Sequence, residues 1–66
     1  MSNKGRAVCT DIYDKEGNLI KIEAHTPTDN FIMQFLWDPT DEQTSEKREE
    51  FRRWAYRHLE QHDYQV

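Results

Sequence analysis

The stretch DIYDKEGNLIKIE, residues 11–23, predicts a β-hairpin and decides how the rest of the chain folds. Apolar and polar residues alternate on both sides of a turn, which is the period-two pattern of strands. Asp14 suits the first position of a type I turn, and Gly17 supplies the left-handed residue of a three-residue loop with a bulge. Such a loop pairs Asp14 with Asn18.

Continuing the ladder outward from this loop assigns a face to every residue of the two strands. The pairs directed toward the core are Ile12–Ile20, Thr10–Ile22 and Val8–Ala24. The pairs on the opposite face are Tyr13–Leu19, Asp11–Lys21 and Cys9–Glu23. Opposite charges at directly paired positions contribute about 0.2–1 kcal/mol, so the Asp11–Lys21 pair supports this register.

A third strand is predicted over about residues 31–37, in the apolar run FIMQFLW. Residues 26–29 form a predicted four-residue loop with Pro27 at its second position, which pairs His25 with Asn30. The residues that then face the core are Phe31, Met33, Phe35 and Trp37. A short helix is the alternative, because an apolar run alone does not distinguish the two; aromatic richness and length favour the strand.

The C-terminal part of the chain predicts a helix over about residues 45–61, with an extension back to residue 40 left open. Its apolar stripe consists of Phe51, Trp54, Ala55 and Leu59, which follow helical spacing. Two starts fit the sequence before it. Asp38 and Pro39 suit the N-cap and first helical position, and residues 40–43 suit a capping box.

Together these elements predict one α+β domain over residues 1–66. A three-stranded antiparallel β-meander (about 6–13, 19–25 and 31–37) precedes one helix (about 45–61) packed on one face. Short flexible tails are expected at residues 1–5 and 63–66. The predicted core is Val8, Ile12, Ile20, Ile22, Ala24, Phe31, Met33, Phe35, Phe51, Trp54, Ala55 and Leu59.

A single helix covers only one face of such a sheet, so the second face is expected to expose an apolar cluster. The predicted partner-binding residues on that face are Tyr13, Leu19, Ile32, Leu36 and Gln34, with Asp11 and Lys21 beside them. Contiguous exposed apolar surface indicates docking on a partner protein or on a second copy of the chain. We therefore predict a small non-enzymatic protein-binding module, an inhibitor or adaptor, and expect a homodimer. Small host-directed phage proteins share these features, which is an analogy only.

Composition supports a small acidic binding protein. The formal net charge is −4, which disfavours a general nucleic-acid binder because phosphate contacts need cationic surface. A lone cysteine, Cys9, and the absence of a secretory signal pattern predict a cytoplasmic protein without disulfides. The longest apolar run is too short to span a bilayer, so no membrane partner is expected. No cofactor is predicted.

Three alternative functions rest on weaker patterns. Arginines interleaved with aromatics in RRWAYRH, residues 52–58, are one way to grip nucleic acid. His58 and His62 have the spacing of metal ligands on a helix, with Cys9, His25 and Asp63 as further donors. The acidic segment 38–50 resembles the phosphate spacing that a DNA-mimic inhibitor presents, although basic residues interrupt it.

No pattern in the sequence predicts catalysis. The chain has no glycine-rich phosphate loop and no metalloprotease motif. Cys9 and His25 are expected on the same face of the sheet, as a thiolate–imidazole pair requires. The predicted register, however, places Cys9 opposite Glu23, one step from His25.

Overall fold

The computed structural model describes residues 4–28 and 30–66, and it confirms the predicted α+β architecture. Strand β1 spans Val8–Tyr13, β2 spans Leu19–Thr26, β3 spans Phe31–Leu36, and helix α1 spans Ser45–Gln61. The strands form one antiparallel sheet in the order β1-β2-β3, and α1 packs on one of its faces. The run after the second turn is therefore a strand rather than a helix.

The hairpin loop between β1 and β2 is the one that the sequence predicts. Asp14 N–H donates to the carbonyl of Asn18 (2.9 Å), and Gly17 N–H donates to the carbonyl of Asp14 (3.1 Å). Gly17 has φ 84°, which is the left-handed conformation that glycine adopts without a side-chain clash. The Asp14 carboxylate accepts the N–H groups of Asn18 and Glu16, and these hydrogen bonds lower the pKa of Asp14.

The register of β1 against β2 differs from the predicted one by a single residue. Tyr13 lies opposite Leu19 as predicted, but Ile12 lies opposite Lys21, so Ile20 is an extra residue in β2. Beyond this bulge Asp11 lies opposite Ile22, and the predicted Asp11–Lys21 pair is wrong. A one-residue shift exchanges the two faces of a strand, so every residue of β1, including Tyr13, lies on the face opposite to the predicted one.

Burial of Leu19 explains the bulge in β2. Leu19 and Ile22 are both fully buried, and residues three apart cannot share a face of a regular strand. One inserted residue brings both side chains to the helix side. The Gln43 side chain holds this irregular backbone: it accepts the N–H of Leu19 and donates to the carbonyl of Leu19, both at 2.9 Å.

The second turn also differs from the predicted one, with a smaller consequence. Thr26 lies opposite Phe31 and Ala24 opposite Met33, which is two residues away from the predicted pairing of His25 with Asn30. A shift of two keeps every side chain on its predicted face. Asn30 has φ 54°, and the buried Thr26 hydroxyl donates to the carbonyl of Phe31 (3.1 Å). Asp29, placed in this loop by the sequence, lies outside the described residues.

The core between the sheet and α1 contains about half of the predicted residues. The predicted residues that are buried are Ile22, Ala24, Phe35, Ala55 and Leu59, and Met33 and Phe51 pack against them. The predicted core residues that are instead exposed, by 42 to 52%, are Val8, Ile20, Phe31 and Trp54. Ile12 is half-buried on the other face. The core also contains Ala7, Leu19, Trp37 and Tyr64, none of which was among the predicted core residues. For Trp37, only the core-facing side of its strand was predicted.

Helix α1 has the predicted bounds but a different N-cap. Thr44 caps it by accepting the N–H of Lys47 (3.1 Å), so both predicted starts are wrong. Asp38 instead closes a turn, accepting the N–H and hydroxyl of Thr40 at 3.0 and 2.8 Å. Within residues 4–28 and 30–66, no helix is both long enough and apolar enough to cross a membrane.

The described parts of the two predicted tails are joined to each other. Gln65 N–H donates to the carbonyl of Gly5 (2.9 Å), and Ala7 N–H donates to the carbonyl of Gln65 (2.8 Å). Tyr64 N–H bonds back to the carbonyl of Leu59 after a left-handed Asp63, which is a Schellman motif. Tyr64 is thereby buried in the core, and the segment after α1 extends the sheet at the start of β1.

Candidate interaction surface

The face of the sheet opposite α1 consists of three rows of side chains, each running across the three strands. From one end to the other the rows are Val8–His25–Ile32, Thr10–Glu23–Gln34 and Ile12–Lys21–Leu36. We call these nine residues the open face. Successive residues of one face are about 6.8 Å apart along a strand and neighbouring strands about 4.8 Å apart, so the open face measures about 10 by 14 Å between its corner Cα atoms.

Apolar residues occupy the four corners of the open face, and polar residues form a cross between them. The corner residues are Val8, Ile12, Ile32 and Leu36. Ile32 and Leu36 are 61 and 68% exposed, and Val8 is 52% exposed. The only helix in the described residues packs against the other side of the sheet, through Ile22, Ala24 and Phe35. The open face therefore presents apolar side chains to solvent at both edges.

The charges at the centre of the open face neutralise one another. Lys21 Nζ lies 3.3 Å from Glu23 Oε2, and the Gln34 amide donates to the same carboxylate oxygen at 3.4 Å. Because these groups are already paired, the centre carries little net charge toward a ligand. A partly exposed pair of this kind contributes little to folding stability.

Two of the five predicted partner-binding residues do not lie on the open face. Leu19 is fully buried, so its predicted exposure is wrong. Tyr13 is 48% exposed but alternates with Asp11 on the helix side, where its hydroxyl donates to Asp11 Oδ2 (3.4 Å). Ile32, Gln34 and Leu36 lie where the sequence predicted them. Their role in binding a partner stays a prediction.

Val8 and Ile12 belong to the open face in place of Tyr13 and Leu19. Both residues were predicted in the core, because the predicted ladder runs through Ile20 without a bulge. A signal for the correct assignment was present in the spacing of Leu19 and Ile22. Two large aliphatic residues three apart in a strand cannot both reach the core without a bulge.

Asp11 was predicted on the open face and instead forms an ion pair beneath α1. Arg52 Nη2 donates to Asp11 Oδ2 at 2.8 Å, and Arg52 Nη1 donates to Glu49 Oε2 at 3.0 Å. The hydrogen bond that Arg52 donates to the Asp11 carboxylate raises the pKa of Arg52. Arg53 lies 3.8 Å from Glu49 as well. Arg52 and Arg53 are therefore both engaged by carboxylates of their own chain.

Cys9 and His25 lie on opposite faces of the sheet, so the arrangement that a thiolate pair needs is absent between them. Cys9 packs against the core and lies opposite Ala24, while His25 is exposed on the open face. Burial is the larger cause that raises the pKa of the Cys9 thiol, and the negative charge of the nearby Asp11 carboxylate raises it further. A raised thiol pKa disfavours the nucleophilic thiolate.

His58 on α1 and His62 at its C-cap join a chain of aromatic rings instead of a cluster of metal ligands. His58 packs 5.4 Å from Trp54 and 6.0 Å from Phe35, and His62 follows 6.1 Å from His58, measured between ring centroids. Across residues 4–28 and 30–66, no three side chains of His, Cys, Asp or Glu lie close enough together to hold a metal ion.

Strand β3 is an edge of the sheet and contains no charged residue, in the sequence FIMQFL. Trp54 on α1 lies on the same side of the molecule, with its ring 5.5 Å from that of Phe35 in an edge-to-face arrangement. Trp54 is 47% exposed and Phe31 is 48% exposed. The β3 side is therefore apolar on both faces of the sheet.

Comparison of the chain with models of protein families, with curated proteins and with solved structures returned no match. The class of molecule is thus defined by its geometry: a small α+β domain with one helix-covered sheet face and one open face.

Proposed function

We propose that the chain is a small, non-enzymatic protein-binding module whose open face docks on a partner protein. The observation that carries this proposal is the exposure of the corner residues Val8, Ile32 and Leu36 around a charge-neutral centre. Large apolar side chains that are exposed together on one face of a small domain are typical of protein interaction sites.

The chemistry of the open face favours a protein over a nucleic acid. A nucleic-acid surface needs unpaired cations to neutralise phosphates, whereas Lys21 is paired with Glu23 and the chain carries a net charge of −4. The exposed apolar corners instead match a protein surface that offers apolar side chains, and the hydrogen-bonding groups between them match a few polar partners. Whether binding inhibits the partner or bridges it to another protein depends on what the partner does.

The test compares two lysine substitutions on β1 that are matched in exposure and change the charge equally. Val8→Lys places a cation at a corner of the open face, and Tyr13→Lys places one on the helix side. The two replaced side chains are 52% (Val8) and 48% (Tyr13) exposed. Tagged wild-type chain is used to capture and identify a partner from lysate of the source cells, and the affinity of each variant is then measured by calorimetry. Circular dichroism confirms that both variants are folded.

We expect Val8→Lys to weaken binding at least tenfold, because a cation then has to be desolvated at an apolar contact. Tyr13→Lys should bind with wild-type affinity. Equal affinities of Val8→Lys and wild type, or a loss confined to Tyr13→Lys, would show that the partner uses another surface. Capture of nucleic acid in place of protein would favour the arginine-bearing helix and overturn the proposal.

A further inference from the structure

The geometry points to a homodimer in which β3 pairs antiparallel with β3 of a second copy, with Gln34 at the two-fold axis. This inference goes beyond the proposed function, because the open face is able to bind its partner in a monomer as well as in a dimer.

The backbone groups of β3 point alternately toward β2 and away from it. Trp37 N–H donates to the carbonyl of Ile20 (2.9 Å), the residue directly opposite it in the observed register. In an antiparallel ladder, backbone groups alternate between the two sides of a strand. The N–H and C=O groups of Phe31, Met33 and Phe35 therefore point toward β2. Those of Ile32, Gln34 and Leu36 point outward, to the edge of the sheet.

The two edges of the sheet differ in how well they are protected from pairing. At the β1 edge, the N–H of Ala7, the residue before the strand, is already bonded to the carbonyl of Gln65, and Asp11 on β1 carries a charge that pairs with Arg52. A charged side chain and a covering segment are devices that protect an edge strand from pairing. Strand β3 has neither a charge nor a proline over its six residues. The β3 edge is therefore the one suited to pairing with another strand.

A second copy of β3 fits this edge. A two-fold axis perpendicular to the sheet makes the strands antiparallel and keeps both open faces on one side. With Gln34 at the axis, Ile32 lies opposite Leu36 of the second copy, so the two most exposed apolar residues of the strand meet. All three outward residues then form hydrogen-bonded pairs. Centring on Met33 instead sets Ile32 against Gln34 and Leu36 against the left-handed Asn30.

The β3–β3 contact also buries aromatic side chains on the helix side of the sheet. The Gln34-centred register places Phe31 opposite Trp37 and Met33 opposite Phe35 of the second copy. Both helices lie on the same side of the joined sheet, so the half-exposed rings of Phe31 and Trp54 face the second copy. Aromatic side chains bury about 150–250 Å² when fully covered, and each of these two still has roughly 100 Å² to bury.

Dimerisation also enlarges the surface of the proposed function. The open face has nine residues, whereas a standard protein interface uses about 20–30 residues on each side. A six-stranded sheet built from two copies presents a continuous face twice as wide. The lack of charge on β3 favours a second copy, because two identical uncharged strands bring no like-charge repulsion to the contact.

The experiment measures the dimer dissociation constant by sedimentation equilibrium, from micromolar to near-millimolar chain concentration and with a thiol reductant. Gln34→Pro removes the outward N–H at the axis in both copies without removing a bond to β2. Two lost hydrogen bonds should weaken the dimer about 30-fold. Gln34→Thr keeps the N–H and favours strand structure, so it should dimerise with a constant close to that of the wild type.

A second pair of variants keeps the test decisive if Gln34→Pro fails to fold. Gln34→Lys and Gln34→Glu each bring like charges together at the axis, so each alone should dimerise weakly. An equimolar mixture should form heterodimers, detected by native mass spectrometry. A wild-type chain that stays monomeric throughout overturns the inference. So does a dimer constant that Gln34→Pro leaves unchanged, or a charge-swapped mixture that yields no heterodimer.

These outcomes are separate from the test of the proposed function. Val8 lies on β1, two strands away from the β3 edge, so Val8→Lys should leave the dimer constant unchanged. Loss of partner binding in Val8→Lys and loss of dimerisation in Gln34→Pro are independent readouts. Pairing of β3 with a strand of the captured partner, in place of the second copy, would appear as a stable monomer whose partner binding is lost in Gln34→Pro, and it overturns the homodimer.

Discussion

The Gln43 side chain should contribute a large part of the free energy of unfolding of this domain, although it lies outside the helix and the strands. Its amide makes three hydrogen bonds: it accepts Leu19 N–H (2.9 Å), donates to the Leu19 carbonyl (2.9 Å) and accepts Arg48 Nε–H (3.2 Å). The two bonds to Leu19 replace the ladder bonds that the bulge removes. Gln43→Ala leaves these partly buried backbone groups without a protein partner.

The expected magnitude follows from the count of lost hydrogen bonds. Each contributes a net of about 1 kcal/mol, so Gln43→Ala should lower the free energy of unfolding by about 2–3 kcal/mol. For a domain of this size, that loss corresponds to a fall in the melting temperature of roughly 10–20 °C. Gln43→Met, which keeps the side-chain volume, should lose nearly as much, because the loss comes from hydrogen bonds and not from packing.

The assay is urea unfolding followed by tryptophan fluorescence and by circular dichroism. Gln61→Ala is the matched control, since Gln61 is an exposed glutamine at the end of α1, and it should change the free energy of unfolding by less than about 0.5 kcal/mol. Equal stabilities of Gln43→Ala and Gln61→Ala would refute the account of the bulge. A Gln43→Met variant as stable as the wild type would show that volume matters instead.

Three further predictions test other parts of the fold. A double-mutant cycle of Asp11→Asn and Arg52→Gln should give a coupling of about 1 kcal/mol, between the values for exposed and buried charge-assisted bonds; a coupling near zero contradicts this. Gly17→Ala should cost about 1–2 kcal/mol in urea unfolding through its φ of 84° alone, because an added Cβ meets no atom within 4 Å; an unchanged midpoint contradicts this. Hydrogen bonds lower the folded pKa of Asp14, so its stabilisation is complete above the unfolded value of about 3.9 and is lost as the pH falls through that value toward the folded pKa. Asp14→Asn should therefore flatten the pH dependence of stability below about pH 4, and a parallel pH profile for the two proteins rules this out.

The candidate interaction surface shows how a single local irregularity limits prediction. The positions of Ile32, Gln34 and Leu36 on the open face followed from alternation along β3, which has no bulge. The exchange of Tyr13 and Leu19 for Val8 and Ile12 arose from one extra residue, Ile20. Because strand side chains alternate with period two, one inserted residue reverses the face of everything beyond it.

The sequence by itself determined the features that depend on neighbouring residues. The strands, the Asp14–Asn18 loop with its left-handed Gly17 and the bounds of α1 follow from turn chemistry and from periods of two and 3.6 residues, which act over short stretches of chain. Only the tertiary structure decided the bulge at Ile20 and the Asp11–Arg52 pair. Gln43 holds the bulge through hydrogen bonds to Leu19, which is 24 residues away, and the ion pair spans 41 residues. The physical reason is that these contacts form only after the helix and the segment before it pack on the sheet, and no local pattern encodes which distant side chain arrives there.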